Sequence, residues 1–294
     1  MAKSFEDRDG WIWMNGNFIP WKNATSHIVS QGLHYASAVF EGERAYNGKI
    51  FKSEEHTKRF FKSAEIIGMK IPYSEDELNS AKKELIKKMN YKDCYVRPLA
   101  WRGGDQMGIS TTQSNINVAI AVWDDWASYF KIEDRKAGLK LITSPWKRPA
   151  PDTAPYEAKA SGPYIICTMS KEFAESKGYH DALMLDYRGY VAEGTGANIF
   201  FIKDNDIHTP IPDCFLNGIT RQAVIKMATE QGFKITVRHI LPDEIKNYDE
   251  AFLTGTAAEV TPVSQISQYN FKVCDLIKDL NESYQNLVRK KSAA

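Results

Sequence analysis

Neither sign of charge predominates in this chain. Lysine and arginine number 38 against 37 aspartate and glutamate, so no overall field recruits nucleic acid or an anionic membrane. Small molecules, or further copies of the chain, are the partners left. Cysteine is scarce: Cys94, Cys167, Cys214 and Cys274 are widely spaced, with no CxxC pair and no nearby histidine cluster. That spacing indicates neither a zinc site nor a disulfide framework, so no metal is expected and a reducing cytoplasm fits. No hydrophobic run approaches the length that spans a bilayer, and the opening MAKSFEDRDG has no apolar signal core.

What is present is the composition of a globular chain, 43% apolar, 12% aromatic and 26% charged over 294 residues. That length exceeds what one hydrophobic core usually serves, so two domains are expected. WIWMNGNFIPW sets Asn15-Gly16 between two short apolar runs, a strong hairpin signal. YSEDELNSAKKELIKKMN opens with Ser74 three residues before Glu77, a capping box, and continues with Leu78, Ala81, Leu85 and Met89 at helical spacing. CYVRPLAWRG and INVAIAVW read as strands. The polar, aromatic-punctuated DDWASYFKIEDRKAG is the expected connection between domains, giving a smaller N-terminal α/β domain over 1–130, a linker at 131–138 and a larger C-terminal α/β domain over 139–294. Downstream, LKLITSPW, DALMLD, VAEGTGANIFFIK, KITVRHI and EAFLTGT alternate with helical patterns, the last carrying Leu276, Ile277, Leu280, Tyr284 and Leu287. Mixed strands and helices in both halves predict an α/β or α+β fold without repeats.

Four local features invite chemistry. PYEAKASGPYIIC places Lys159 between two alanines just before an apolar run. Alone it reads either as a lysine snorkelling to water or as a desolvated amine able to attack a carbonyl. LNGITRQAVIKM sets a glycine turn before a helix whose first turn holds Ile219 and Thr220, where free N–H groups and the helix dipole suit an anion. LTGTAAEVTP follows a strand and offers the Thr256 hydroxyl among small residues; it reads equally as an ordinary strand exit. GYVAEGTGANIF holds Glu193 among alanine and glycine, either as a solvated turn carboxylate or beside a planar ring. An amine, a carboxylate in a glycine-rich setting and two anion-cradling turns are together what pyridoxal 5'-phosphate requires, for its aldehyde, ring nitrogen and phosphate.

The motifs HYASAVFEGERAY, HTKRF, YVRP, MGIS, YEAKASGPY, EGTGANIF, NGITR and GTAAEVTP run from residue 34 to 262. With them the chain resembles the fold-type IV pyridoxal-phosphate aminotransferases (class IV), and within these the branched-chain amino acid aminotransferases. The resemblance implies two α/β domains with the cofactor between them. It makes Lys159 the Schiff-base lysine, which also moves the proton between substrate Cα and the cofactor, and Glu193 the carboxylate at the ring nitrogen. Arg59, the backbone of Ile219 and Thr220, and the Thr256 hydroxyl match the phosphate cradle, and Tyr164 matches the partner of the ring's phenolic oxygen. Tyr95 and Arg97 alternate in a strand and so share a face. By resemblance Tyr95 binds the α-carboxylate with the amides of Thr256 and Ala257, and Arg97 receives the distal carboxylate of glutamate. Phe40, Trp126 and Tyr129 match an apolar wall, and Tyr35 and Ile109 match residues supplied by a neighbouring subunit, which implies a homodimer or higher homo-oligomer.

The implied reaction moves the amino group of L-leucine, L-isoleucine or L-valine to 2-oxoglutarate by a ping-pong route. D-amino acid aminotransferases and aminodeoxychorismate lyases share the fold, and YVRP with GTAAE favours the L-specific reading over both. A catalytically inert metabolite-binding protein would need Lys159 to be idle. Two departures lie outside the chemistry: Ala36 stands where many relatives have glycine, and RGGDQMGIS differs in its first half from better-known bacterial members. Since Arg97 has no anionic partner when leucine is bound, it is expected to be held by polar neighbours, Tyr35 among them. Glu259 of GTAAE has no role from sequence beyond pinning its loop.

Overall fold

A computed structural model describes residues 4–124 and 130–290. The chain divides into two compact units, Met1–Trp126 with Ala158–Gly162, and Ala127–Glu157 with Pro163–Ala294.

In the first unit β1 (Trp11–Met14) and β2 (Asn17–Pro20) form the expected hairpin. Asn15 and Gly16 both take positive φ, 48° and 88°, as a tight two-residue turn requires. The sheet adds β3 (Ala38–Phe40), β4 (Glu43–Tyr46), β5 (Lys49–Ile50), β6 (Cys94–Arg102) and β7 (Ile116–Trp123), in the order β2-β1-β7-β6-β4-β5 with β3 on β6. A short α1 (Gln31–His34) precedes β3; α2 (Ser53–Ile66) and α3 (Glu75–Met89) supply the apolar side chains that join the core. The Ser74–Glu77 capping box is present, and Leu78, Ala81 and Leu85 are buried. Lys82 is buried on the same helix, with Nζ 3.0 and 2.9 Å from the two carboxylate oxygens of buried Glu43 and 2.7 Å from Thr57 Oγ1. Such a pair persists only with its remaining donors satisfied.

β6 alternates as its sequence demands. Val96 and Ala100 enter the core, while Tyr95, Arg97 and Leu99 face the other way. On that second face Ala119 pairs with Leu99 and Ala121 with Arg97. These small residues leave a cavity of about 380 Å³ with Arg97 in its wall.

The second unit begins with α4 (Ile132–Ala137), so most of the expected 131–138 linker is a helical turn. A nine-stranded mixed sheet follows, ordered β10-β9-β8-β15-β14-β11-β12-β13, with β16 on β15. Its strands are β8 (Leu139–Arg148), β9 (Asp181–Asp186), β10 (Val191–Glu193), β11 (Asn198–Lys203), β12 (Asp206–Thr209), β13 (Lys234–Val237), β14 (Glu250–Gly255), β15 (Glu259–Ile266) and β16 (Tyr269–Asn270). The helices are α5 (Ile165–Ser176), α6 (Ile219–Glu230) and α7 (Asp275–Arg289), the last burying Ile277, Leu280, Tyr284 and Val288. VAEGTGANIFFIK is two strands, with Glu193 paired to Asn198 across the turn.

One expectation is overturned. Sequence position puts Lys159 in the C-terminal domain, but residues 158–162 pack with the first unit. Phe40 N–H donates to the Lys159 carbonyl at 3.0 Å and Ser161 N–H to the Ala38 carbonyl at 2.9 Å, so the segment runs alongside β3. Ala158 and Ala160 are buried in the core with Val39, Phe60 and Ala64. The two alanines are small because their side chains enter that core, which holds the lysine between them in place.

Candidate active site

In the first unit Lys159, Phe40, Arg97, Tyr95 and Arg59 come together. The Lys159 N–H donates to Ser63 Oγ at 2.9 Å, and its Nζ lies 4.8 Å from the centre of the Phe40 ring. Burial, reinforced by the positive charges of Arg59 and Arg97 and opposed by Glu41, pushes its pKa down to about 8. A substantial fraction of the side chain is therefore neutral amine near pH 8, the form that attacks a carbonyl.

Arg97 carries the opposite property, a fixed charge. Within this chain the group is held mainly by rings: its guanidinium carbon lies 4.9 Å from the Phe40 ring centre, 5.2 Å from Tyr95 and 5.9 Å from Trp123. Among the described residues one polar contact supplements these, Nη2 to Tyr95 Oη at 3.3 Å, and Nε has no hydrogen-bond partner. Ring faces stabilise a cation without hydrogen-bonding it, so the guanidinium is held while its donors stay available to a carboxylate. Tyr95 is fixed in turn by stacking on Trp123, its cross-strand partner, at 4.9 Å. Its hydroxyl also approaches the backbone at Gly42, where a Cβ would stand 2.1 Å from Oη. Only glycine fits there.

Arg59, on α2, pairs through Nε and Nη2 with Glu41 at 2.6 and 2.9 Å. Tyr35 and Ile109 lie on the surface, 46% and 86% exposed. Their segments are tied together by buried Gln31, whose Nε2 donates to the carbonyls of Gly108 and Ser110 at 3.0 and 2.7 Å. Trp126 and Tyr129 lie outside the described residues.

In the second unit Glu193 ends β10 and is buried. Its Oε2 accepts from Asn198 Nδ2 at 3.1 Å, and Oε1 lies 3.6 Å from Arg148 Nε. Asn198 also donates to the Leu216 carbonyl at 3.0 Å and accepts from the Gly218 N–H at 3.2 Å. One amide thus ties Glu193 to the turn before α6. Among the described residues no side chain caps that helix, which leaves the first-turn N–H groups at Ile219 and Thr220 without a side-chain cap. A Cβ at Gly218 would meet Asn198 Oδ1 at 2.3 Å, which explains the glycine. Behind the turn, buried Arg221 donates to Asn217 Oδ1, the Pro210 carbonyl and Thr209 Oγ1.

Thr256 and Ala257 are half-exposed between β14 and β15. Their turn is anchored by Glu259, which takes φ +54° and accepts from Arg135 Nη2 at 3.0 Å; the same nitrogen donates to the Ala258 carbonyl. Glu259 thus has the pinning role left open by the sequence. Tyr164 immediately precedes α5, half-buried.

Taken unit by unit, the chemistry suits a pyridoxal-type cofactor: the first unit holds an amine of lowered pKa, and the second holds a buried carboxylate and a helix N-terminus without a side-chain cap among the described residues. Glu41, Trp123, Asn198 and Gln31 do not stand out in the sequence. Glu41 and Asn198 lie inside motifs quoted for the resemblance, which is the one signal that could have found them.

The amino-transferase class IV family model matches residues 38–266. The chain belongs to that family. It is 41% identical over 293 residues to a probable branched-chain-amino-acid aminotransferase of Rickettsia bellii, covering 98% of this chain and 100% of that one. Among solved structures it resembles the Escherichia coli branched-chain amino acid aminotransferase, at TM-score 0.93 and 33% identity over 97% of each chain. It also resembles the T.th. branched-chain amino acid aminotransferase complexed with N-(5'-phosphopyridoxyl)-L-glutamate, at TM-score 0.91 and 39% identity, covering 97% of this chain and 96% of that one.

Proposed function

We propose that this chain is a pyridoxal-phosphate-dependent transaminase that moves the amino group of L-leucine, L-isoleucine or L-valine to 2-oxoglutarate. The observation that carries the reading is the Phe40 ring, which has the Lys159 amine at 4.8 Å and the Arg97 guanidinium at 4.9 Å. A reactive amine and a carboxylate receptor thus lie over one apolar surface. The activity of the relatives and the glutamate adduct in one of them support the same assignment.

When bound, pyridoxal phosphate supplies the electron sink for negative charge at the substrate Cα. Lys159 holds the cofactor and carries the proton to and from Cα. Glu193, kept in place by Asn198, keeps a proton on the ring nitrogen through its fixed negative charge. Arg59, the amides of Ile219 and Thr220, and Thr256 hold the phosphate; Tyr164 bonds the phenolic oxygen. Tyr95 with the Thr256 and Ala257 amides takes the α-carboxylate. Phe40 is the described part of an apolar wall completed by Trp126 and Tyr129. This reading assigns residues of both units to one cofactor.

The two-substrate requirement rests on Arg97. With leucine bound the guanidinium keeps its aromatic faces, so no charge is stranded. With glutamate bound its open donors take the distal carboxylate. In Arg97→Met the glutamate half-reaction should fall roughly 10- to 150-fold, the cost of a lost charge-assisted hydrogen bond, and the leucine half-reaction less. Each is followed by the absorbance of the loaded enzyme. Equal losses would make Arg97 an α-carboxylate or structural residue.

The active form is a homodimer or an assembly of dimers in which Tyr35 and Ile109 serve the neighbour's pocket. Exposed Ile28, Leu33 and Met107 on the same two segments support such an interface. We place the enzyme in the cytoplasm, where four free thiols stay reduced. No helix among the described residues is long and apolar enough to cross a membrane.

A further inference from the structure

Beside Lys159, the first unit buries a carboxylate that the proposed chemistry does not use. Glu41 is fully buried immediately before Gly42 and receives three short contacts: Arg59 Nε at 2.6 Å, Arg59 Nη2 at 2.9 Å and His56 Nδ1 at 2.6 Å. Burial alone would raise its pKa, yet Arg59 and His56 outweigh that and hold the carboxyl ionised, well below its usual range. We propose that Glu41 is a positioning residue for Arg59, with His56 as its strut, and that together they aim the guanidinium at an oxyanion of the cofactor's phosphate. This rests on the reading of Arg59 as a phosphate ligand given above.

Three features of the geometry carry it. Nε and Nη2 form one edge of the guanidinium, and Glu41 takes that edge in parallel, which fixes the plane of the group and leaves the Nη1 side outside the pair. Arginine otherwise has a long stem whose rotamer freedom must be lost on binding, so fixing it beforehand strengthens the capture of an anion. His56 precedes Arg59 by three residues on α2 and so lies on the same helix face. It is buried, and its Nδ1 shares Oε2 with Arg59 Nη2, which keeps the carboxylate from rotating. Glu41 also offsets the repulsion between Arg59 and the Lys159 amine.

A merely structural ion cluster would stabilise the fold and treat all ligands alike. A positioning role acts on the phosphate alone. The test is therefore the ratio of two dissociation constants for the apo protein, one for pyridoxal, which lacks the phosphate, and one for pyridoxal phosphate. Both are read from the absorbance of the loaded lysine. Glu41→Gln should shrink that ratio roughly tenfold to a hundredfold, the range of a lost charge-assisted contact; its effect on the Lys159 amine falls on both constants alike and cancels in the ratio. His56→Ala should shrink it less. Because Glu41→Gln strands a guanidinium, the double variant Glu41→Gln/Arg59→Met is measured too; it should match Arg59→Met alone, as expected of two residues acting as a unit.

A parental ratio in both Glu41→Gln and His56→Ala, with Arg59→Met reduced, would overturn the positioning role and leave Arg59 as the phosphate ligand. Equal weakening of pyridoxal and pyridoxal phosphate by Glu41→Gln would confine Glu41 to the Lys159 amine and the fold, and overturn its positioning of Arg59. A parental ratio in Arg59→Met would remove the phosphate reading of Arg59 itself.

Discussion

A lysine whose ammonium is disfavoured has a measurable pH signature. The Lys159 pKa is lowered from its ordinary value to about 8, chiefly by burial. Capture of pyridoxal by the apo protein should accelerate with pH, reach half its maximum near pH 8 and level off above that, since only the neutral amine attacks. The sign for stability agrees: between pH 8 and the ordinary lysine value the unfolded chain binds more protons, so this group's contribution to stability rises with pH there. A capture rate still climbing at pH 10 would show an ordinary, hydrated lysine. Lys159→Ala should abolish transamination, as both the cofactor attachment and the proton carrier are lost, and more than trace turnover would unseat the assignment. In Glu193→Gln the cofactor should remain bound while single-turnover consumption of L-leucine slows, because a neutral amide cannot keep a proton on the ring nitrogen. A parental single-turnover rate would remove that role. Lys159 and Glu193 stand out in the sequence because each is a charge among small residues. Glu41 and Trp123 do not, since the first is one carboxylate among many and the second one aromatic in a strand. What marks them is a partner 18 residues away for Glu41 and a cross-strand pairing for Trp123. Periodicity tells which face a residue takes and is silent on what it meets there.

Elements carry the site by being tied together over longer distances. Asn198 starts β11 and reaches both Glu193 and the turn before α6. Asn198→Ala should cost about 2 kcal/mol of stability, because it leaves the Leu216 carbonyl and the Gly218 N–H without their partner. Chemical denaturation of the apo protein measures this, and a loss below about 0.5 kcal/mol would mean that solvent replaces the amide without cost. The β1–β2 hairpin and the α3 capping box are legible in the sequence because their signals are local. β15 is not, since Pro262 cannot donate to a ladder and argues against a central position. It occupies one nonetheless, between β14 and β8. The helix in the linker is hidden for a related reason: a short α4 with no buried residue has no apolar stripe to announce it.

At the scale of the whole molecule, the proposed assembly of copies rests on the exposed apolar side chains of the Gln31-tied segments. Leu33→Asp should weaken that association, seen as slower-sedimenting species at micromolar concentration, and leucine turnover should fall with it because Tyr35 and Ile109 no longer reach a neighbour. A fully active monomer would sever the link between assembly and site. Domain organisation is legible only in part from sequence, because Lys159 lies in the later half of the chain yet its flanking alanines pack into the first unit's core. The central claim, transamination of L-configured branched amino acids with glutamate as the alternate donor, has one direct measurement. The cofactor-loaded enzyme is mixed with single amino acids in the absence of any 2-oxo acid, and the loss of its visible absorbance is recorded for each. L-leucine, L-isoleucine, L-valine and L-glutamate should each discharge the absorbance, and 2-oxoglutarate added afterwards should restore it. Discharge by D-alanine with none by L-leucine would contradict the account.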